Sequence, residues 1–186
     1  GSRLESLRVC GFAAFQTGAE DLVRKAEVRS IPLAGVYGSS EVQALFSIQS
    51  VREGEEHRYK GGGFPADPNA RLRVRDTESG EPEQSGVLEI CAGGNFAGYF
   101  NNPEATSEAV DHEGFFSTGD IGYLHRDGSF IYQTRAGDAI RLSGFLVNPA
   151  EIEDLLRDCR GVEEAQVIGA DIDGKPTCVA FVIAEP

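Results

Sequence analysis

Apolar runs and apolar residues at helical spacing predict a strand–helix–strand unit at the start of the chain. Leu7–Phe12 and Pro32–Tyr37 have the length and composition of buried strands. Between them, Leu22, Val23 and Ala26 share one face of a helix. A strand, a helix and a second strand in this order form a βαβ unit, whose ligands bind at the carboxyl ends of the strands. Residues 1–50 therefore predict an α/β unit.

The pattern changes after residue 50. Val51–Pro68 is polar and includes the glycine run 61–63, which indicates a connector, because no Lys-Ser/Thr pair or helix follows as in a phosphate loop. Arg71–Arg75 alternates as a half-buried strand does, and Gly86–Cys91 is its expected antiparallel partner. Residues 51–134 therefore predict a small, mainly antiparallel, β-barrel-like subdomain.

A third region follows Arg135. Ile140–Leu142 and Phe145–Val147 flank a turn and predict a hairpin, and two further apolar segments, 162–170 and 176–184, predict strands. Asn148 and Pro149 begin a helix, because Asn caps a helix and Pro fits its first position. The expected core stripe of this helix is Ile152, Leu155, Leu156 and Cys159. Residues 139–186 predict the start of a second α+β domain, with a boundary at 135–138. The fold class is therefore α/β with α+β.

Composition narrows the range of partners. The net charge of -13 argues against nucleic acid or an anionic membrane as the main partner. No apolar run approaches the ~20 residues of a membrane span, and no signal peptide is expected. Four cysteines without metal-ligand spacing predict buried, reduced thiols and a cytoplasmic protein. His57, His112 and His125 fall in polar loops far apart, which favours surface histidines over metal ligation or general-base work.

A carboxylate and a guanidinium are the first candidates for a binding site. Asp127-Gly128 predicts a tight turn between two strands, with Asp120 at the start of one strand and Arg135 at the end of the other. In such a hairpin the two residues flank one small pocket. A carboxylate accepts both hydroxyls of a ribose, and a guanidinium donates to hydroxyl or phosphate oxygens. A structural ion pair explains the same two residues.

A second candidate lies at the carboxyl end of the second predicted strand, at Tyr37–Glu41. Gly38 permits a close approach of the backbone to a ligand, and a serine hydroxyl can donate to a phosphate oxygen. The carboxylate of Glu41 supplies a hard oxygen ligand for Mg²⁺. A plain turn between a strand and a loop is the simpler interpretation of these residues.

Several motifs together resemble the adenylate-forming superfamily of acyl-CoA synthetases, luciferases and peptide-synthetase adenylation domains. They are Tyr37-Gly-Ser-Ser-Glu41, Gly98-Tyr-Phe-Asn-Asn-Pro-Glu-Ala-Thr106, Thr118-Gly-Asp120, Arg135-Ala-Gly-Asp138 and Gly144-Phe-Leu-Val-Asn-Pro-Ala-Glu-Ile-Glu153. Ser40 stands where the family usually has Thr, which keeps the hydroxyl. The Gly98–Thr106 motif is mostly structural in the family, and no chemistry is assigned to it.

The resemblance implies an ATP site. By its motifs, Asp120 holds the ribose hydroxyls and Arg135 lies beside the same ribose. Tyr37 lines the adenine, Ser40 touches the α-phosphate, and Glu41 carries the magnesium ion. The segment Gly11, Phe12 and Ala13 falls where the family's glycine-rich turn borders the adenine, although Phe12 replaces a small residue.

The resemblance also implies a hinge and a coenzyme A side. Gly137 and Asp138 fall at the hinge, where Gly137 replaces the usual Asp or Lys. Arg141 and Gly144 fall on the side of the coenzyme A channel.

The implied activity is that of an ATP-dependent carboxylate–CoA ligase. The acid attacks ATP to form an acyl-adenylate, and the thiol of coenzyme A then displaces AMP. The expected acid is a fatty acid of medium or long chain. The alternatives are a non-catalytic nucleotide-binding or interaction member of the family, or an adenylation domain that acts on another acid.

The chain departs from the family pattern at both ends. The phosphate loop and its Lys are absent, and so is the C-terminal catalytic Lys, because Lys175 does not match that motif. The sequence therefore predicts a piece covering about the last third of a family member, which alone is inactive. Faces that the rest of a family member covers predict self-association of the isolated chain.

Overall fold

The chain forms two compact units in a computed structural model, which describes residues 6–13, 18–51, 57–76, 82–83, 85–142, 145–172 and 175–184. The first unit consists mainly of Ala19–Gln133 with the N-terminal residues, and the second mainly of Thr134–Pro186. The boundary falls next to the segment 135–138, where the sequence predicts a hinge.

In the part of the chain that the structure describes, the first unit contains nine strands and two helices. They are β1 (Cys10–Ala13), α1 (Ala19–Glu27), β2 (Leu33–Ser39), β3 (Gln43–Ile48), β4 (Gly62–Pro65), β5 (Arg71–Arg75), β6 (Pro82–Glu83), β7 (Ser85–Cys91), α2 (Pro103–Ala109), β8 (Phe116–Leu124) and β9 (Phe130–Arg135), whose last residues belong to the second unit.

The predicted βαβ unit is confirmed. Strands β1 and β2 pair in parallel, and α1 connects them. Val23 and Ala26 of the helix pack with Leu33 of β2 in a small apolar cluster. Leu22, expected on the same face, is instead 40% exposed, because the buried stripe runs through Ala19, Val23 and Ala26.

The antiparallel strands join the βαβ strands in one sheet. Its order is β1-β2-β3-β4-β9-β8-β7-β5-β6, so the strands that the structure describes form an open sheet with edges at β1 and β6. The antiparallel pairing of β5 with β7 is confirmed. The expected barrel does not close, and the sheet continues across the predicted boundary between residues 50 and 51. Strand β3, which the sequence analysis missed, makes this continuity possible.

Two glycines of the run 61–63, Gly62 and Gly63, are part of this sheet rather than of a loop. Gly62 and Gly63 have φ angles of 119° and 92°, which side chains rarely adopt. A Cβ on Gly63 would lie 2.0 Å from the carbonyl oxygen of Ile48 in β3, and one on Gly62 would lie 2.2 Å from that of Phe130 in β9. Strand β4 thus lies between two neighbouring backbones and joins β3 to β9.

A cluster of charges ties the turn before β8 to the neighbouring strands. Arg73 of β5 forms ion pairs with Glu89 of β7 and with Asp111 and Glu113 of the turn. Its guanidinium also lies 3.9 Å from the ring centroid of Phe115. Burial opposes ionisation of Asp111, but hydrogen bonds from the Phe115 backbone N–H and from Arg73 outweigh it, and the pKa of this carboxyl is below its usual value.

The second unit combines two hairpins and a helix. Strands β10 (Ile140–Leu142) and β11 (Phe145–Val147) pair as predicted, and so do β12 (Val162–Ile172) and β13 (Lys175–Ala184). Helix α3 (Pro149–Arg157) begins at the predicted cap, where the side-chain oxygen of Asn148 accepts a hydrogen bond from the Ala150 N–H at 3.1 Å.

The buried face of α3 differs from the predicted stripe. Leu155 is 68% exposed and Cys159 is also exposed, whereas Ile152 and Leu156 are half-buried. A polar contact also holds the helix, since the carboxylate of Glu153 accepts a hydrogen bond from the Val167 N–H of β12 at 2.8 Å.

The cysteines and the helices bear on two expectations drawn from composition. All four cysteines are free thiols, but Cys159 is exposed and the others are only half-buried. Within the described part of the chain, no helix is both long and apolar enough to span a membrane.

We predict that Gly63→Ala weakens the sheet at β4. The added methyl group meets the Ile48 carbonyl and requires a left-handed backbone, so the free energy of unfolding falls by more than ~1 kcal/mol. The control is Gly93→Ala, because a Cβ there meets nothing within 4 Å. Urea denaturation of the two variants measures the difference. Equal stability of the two variants contradicts the role of β4 as a closely packed central strand.

Asp111 makes the stability depend on pH. A carboxyl whose pKa is lowered by folding stabilises the fold above its unfolded pKa, and this contribution disappears as the pH falls through the folded pKa. Asp111→Asn should therefore be less stable than the wild type at pH 7, and the difference should shrink below pH ~4. Denaturation across this range measures it, with exposed Glu108→Gln as the control. A difference that stays constant with pH contradicts this account.

Candidate functional site

The Thr-Gly-Asp motif forms a β-bulge in the middle of β8. Val87 pairs with Ile121 and Glu89 with Ser117, so Thr118, Gly119 and Asp120 together face only Leu88 of β7. Gly119 has a φ of 71°, the left-handed conformation that favours glycine, although its Cβ would meet nothing. Bulges of this kind redirect a side chain out of the regular alternation of a strand.

A hydroxyl fixes the backbone of this bulge. The Oγ1 of Thr118 accepts a hydrogen bond from the Asp120 N–H at 3.0 Å and donates one to the Leu88 carbonyl at 2.8 Å. Both bonds are buried. The expectation that Asp120 begins a strand was wrong, because β8 begins at Phe116 and the motif interrupts it.

The carboxylate of Asp120 is bonded to Tyr37. The phenol hydroxyl donates to Oδ2 at 2.6 Å, and both residues are buried, with 1% and 4% of their surface exposed. Tyr37 lies in β2 and Asp120 in β8, so the open sheet brings together two residues of different predicted subdomains.

A tight turn carries the rest of the Tyr37–Glu41 motif. Ser39 at the end of β2 pairs with Gln43 at the start of β3, and Gln43 has a φ of 78°, unusual for a residue other than glycine. Val42 is buried in the core and anchors the turn, while Ser40 is exposed. Backbone strain of this kind concentrates at functional sites.

Gly38 allows β2 and β3 to approach each other. A Cβ at this position would lie 2.4 Å from the carbonyl oxygen of Gln43 and 2.5 Å from that of Ala44. The close approach of β3 therefore requires a glycine at position 38.

Two hydroxyls orient the carboxylate of Glu41. Ser39 Oγ donates to Oε2 at 2.8 Å, and the hydroxyl of Tyr99 donates to Oε1 at 3.2 Å. The Glu41 carbonyl also accepts a hydrogen bond from the Phe96 N–H at 2.7 Å. Each carboxylate oxygen thus has its own donor.

The site residues predicted from the sequence do not include Tyr99, Ser39 and Thr118. Tyr99 belongs to the Gly98–Thr106 motif, to which no chemistry was assigned, and only the tertiary structure brings it to Glu41. Ser39 and Thr118 lie inside motifs that were identified, each shortly before a candidate carboxylate. That neighbouring hydroxyl is the sequence signal by which each residue could have been predicted.

The segment Gly11–Ala13 lies in β1 beside β2. The Phe12 side chain packs against the apolar cluster under α1, while Gly11 and Ala13 are exposed. A Cβ at Gly11 would lie 2.7 Å from the Cγ1 of Val36, so a larger residue would displace that side chain.

The remaining predicted residues belong to the second unit. Arg135 is exposed at the end of β9, and its carbonyl accepts hydrogen bonds from the N–H groups of Asp138 and Ala139. Gly137 is exposed, and a Cβ there would meet nothing within 4 Å. The backbone of Arg141 in β10 pairs with Leu146 in β11, whereas Gly144 lies outside the described residues.

Two of the three histidines are not isolated surface residues as expected. The rings of His57 and His125 stack with centroids 5.7 Å apart, and Tyr123 packs edge-on against His125 at 4.9 Å. The Nδ1 of His57 and the Nε2 of His125 are buried without a hydrogen-bond partner. His112 is exposed. Among the described residues, no cluster of three or more His, Cys, Asp or Glu side chains is arranged to hold a metal ion.

Comparison with known sequences identifies relatives for nearly the whole chain. It is 36% identical over 174 residues to a probable 4-coumarate–CoA ligase 2 of Dictyostelium discoideum, which covers 89% of this chain and 30% of the relative. It is 33% identical over 189 residues to 4-coumarate–CoA ligase 2 of Nicotiana tabacum, with 97% of this chain and 34% of the relative covered. No protein-family model matches.

Comparison with solved structures gives the same class. ATP-bound MatB from Rhodopseudomonas palustris superposes with a TM-score of 0.78 at 26% identity, over 95% of this chain and 35% of that one. The amide bond synthetase McbA from Marinactinospora thermotolerans gives 0.79 at 25% identity, over 100% and 38%.

The fold and the motifs are those of adenylate-forming enzymes. The chain belongs to the adenylate-forming, AMP-binding superfamily, as the resemblance implied. It spans about a third of the length of the relatives that it matches.

Proposed function

We propose that this chain is part of an ATP-dependent carboxylate–CoA ligase. The observation that carries the proposal is the carboxylate of Asp120, held on a bulge by the Thr118 hydroxyl and bonded by Tyr37. In the first half-reaction, a carboxylate oxygen of the acid attacks the α-phosphorus of ATP, and pyrophosphate leaves. In the second, the thiol of coenzyme A attacks the acyl carbon, and AMP leaves with the electron pair of the broken bond.

The nucleotide roles follow from chemistry at each position. A carboxylate has about four acceptor sites, which allows Asp120 to accept the two vicinal hydroxyls of ribose in addition to the Tyr37 bond. Arg135 donates from its guanidinium beside the same ribose. Ser40 is exposed at the turn after β2, where its hydroxyl donates to the α-phosphate. The Gly11–Ala13 edge of β1 borders the adenine.

Glu41 is a suitable ligand for the magnesium ion that binds together with ATP. Protein sites for Mg²⁺ commonly supply only one or two carboxylates, and phosphates and water complete the octahedron. Glu41 provides one such carboxylate, oriented through both oxygens by Ser39 and Tyr99. When bound, the ion offsets negative charge on the phosphates.

The second unit supplies the hinge and the coenzyme A side. Gly137 is exposed, and its lack of a side chain permits the large dihedral change of a hinge at 137–138. Arg141 and Gly144 are assigned to the coenzyme A channel through the family motif. We also propose that this chain alone does not catalyse adenylation.

The class of carboxylic acid that the ligase uses is a separate part of the proposal. The sequence analysis favoured a fatty acid, whereas the named relatives are 4-coumarate–CoA ligases, which favours an aryl acid. We adopt the aryl acid as the first candidate, with fatty acids as the alternative.

ATP–pyrophosphate exchange by the full-length protein tests this function. We expect exchange with aryl propenoic acids and none from the chain alone. Asp120→Ala should abolish exchange because the ribose loses its acceptor, whereas the control Asp158→Ala, an exposed residue, should retain it. Exchange with fatty acids alone would select that class. Nucleotide binding without exchange for any acid supports a non-catalytic member and contradicts the ligase.

Tyr99→Phe tests the orientation of Glu41. Loss of a donor to a metal-binding carboxylate weakens metal affinity about tenfold, so the Mg²⁺ concentration for half-maximal exchange should rise by that factor. Electron paramagnetic resonance of Mn²⁺ in the ATP complex gives the affinity without turnover. Unchanged Mn²⁺ affinity would show that Tyr99 does not act through Glu41.

A further inference from the structure

Two imidazole rings from distant parts of the sequence lie next to each other in the first unit. His57 precedes β4 and His125 follows β8, and their ring centroids are 5.7 Å apart with the ring planes 27° from parallel. Both residues are half-buried, and Tyr123 packs edge-on against His125. The fold, and not sequence spacing, creates this pair of potential ligands.

One nitrogen of each ring is buried and lacks a partner. The Nδ1 of His57 and the Nε2 of His125 have no hydrogen-bond partner among the described residues. Most buried polar atoms in folded proteins are hydrogen-bonded, so two exceptions within one ring pair require an explanation. A neutral imidazole is the commonest metal ligand among side chains, and either of its nitrogens can bind a metal ion.

The distance between the rings fits one shared ion. A zinc ion lies ~2.0–2.1 Å from a ligating imidazole nitrogen, so two imidazoles on one ion have centroids ~5–6.5 Å apart for bond angles from tetrahedral to linear. The observed separation of 5.7 Å falls inside this range. The pair therefore has the spacing of two ligands of the same metal ion.

Hydrogen bonds hold the backbone on both sides of the pair. Next to His57, the buried guanidinium of Arg58 donates to the Leu33 carbonyl of β2 at 3.0 and 3.2 Å. The N–H of His125 donates to the Ser129 carbonyl at 2.8 Å, within the turn between β8 and β9. Ligands on fixed backbones bind with little reorganisation, because their positions are already set by folding.

We propose that His57 and His125 bind one late first-row transition-metal ion, such as Zn²⁺, Ni²⁺ or Cu²⁺, at a site separate from the proposed nucleotide site. Imidazole nitrogen suits these ions, whereas Mg²⁺ and Ca²⁺ take oxygen ligands. Asp127, two residues after His125, and the net charge of -13 favour a cation electrostatically. Small rotations about the side-chain torsions aim both nitrogens at the ion.

The bound ion joins the segment before β4 to the turn after β8. Two protein ligands are fewer than the four of a closed structural zinc site, so water completes the coordination and we expect reversible binding. The inference goes beyond the proposed function and does not depend on it. Its tests measure metal binding by the chain, so their results are independent of ATP–pyrophosphate exchange.

Histidine side-chain NMR of the ¹⁵N-labelled chain, titrated with ZnCl₂, tests the site without any substitution. The chain contains three histidines, and the exposed His112 is the internal control. We expect the ring nitrogen signals of His57 and His125 to shift together up to one equivalent of zinc, with those of His112 unchanged. A shift of only one ring of the pair, or no shift, overturns the inference.

Substitution of each histidine tests whether both act as ligands. His57→Ala and His125→Ala should each lower the zinc affinity by more than ~10-fold, since even loss of an outer-shell partner costs this much. His112→Ala is the matched control and should retain wild-type affinity. Competition with a chromophoric chelator measures the affinity. Wild-type affinity in either variant of the pair contradicts the shared site, and the NMR titration decides if a variant does not fold.

Cobalt(II) distinguishes histidine from cysteine ligation. The four free cysteines are the competing ligands of the chain. Thiolate ligation to Co²⁺ produces intense near-ultraviolet absorption, which imidazole ligation does not. We expect the complex with one equivalent of Co²⁺ to lack this band. An intense band assigns the ion to cysteine and overturns the inference.

Discussion

The close backbone contact of β4 with both of its neighbours is the constraint on which the rest of the first unit depends. Gly62 and Gly63 bring this short strand against the carbonyls of Phe130 and Ile48, where any Cβ would collide. In the sheet order of the described strands, β4 joins β1, β2 and β3 to β9 and the strands beyond it. The relation between Tyr37 in β2 and Asp120 in β8 therefore depends on two residues without side chains.

Neutral hydroxyls orient both candidate carboxylates. Tyr37 and Thr118 hold Asp120, and Ser39 and Tyr99 hold Glu41. A hydroxyl group orients a carboxylate without adding a formal charge, whereas an arginine would add a positive charge. In a chain of net charge -13, this arrangement differs from that of Arg73, whose guanidinium binds three carboxylates as a structural brace.

Local signals predicted local structure well. The Asn148 cap, the Asp127-Gly128 turn and the β12–β13 hairpin follow from short-range chemistry, and the structure confirms them. The role of β4 was missed because glycine in a sheet resembles glycine in a loop until its neighbours are known. The carboxylates of the site were found from motifs, but Tyr99 contacts Glu41 across 58 positions of the chain, which no local pattern reports.

If Asp120 binds the ribose as proposed, the bond from Tyr37 also affects how the energy of nucleotide recognition is distributed. Asp120 is already held in one orientation by folding, so the conformational entropy of its side chain is lost when the chain folds and not when a ligand arrives. Binding then involves little rearrangement at the sugar. The same rigidity leaves the carboxylate little freedom to adapt, and a sugar of different shape meets an acceptor that cannot follow it.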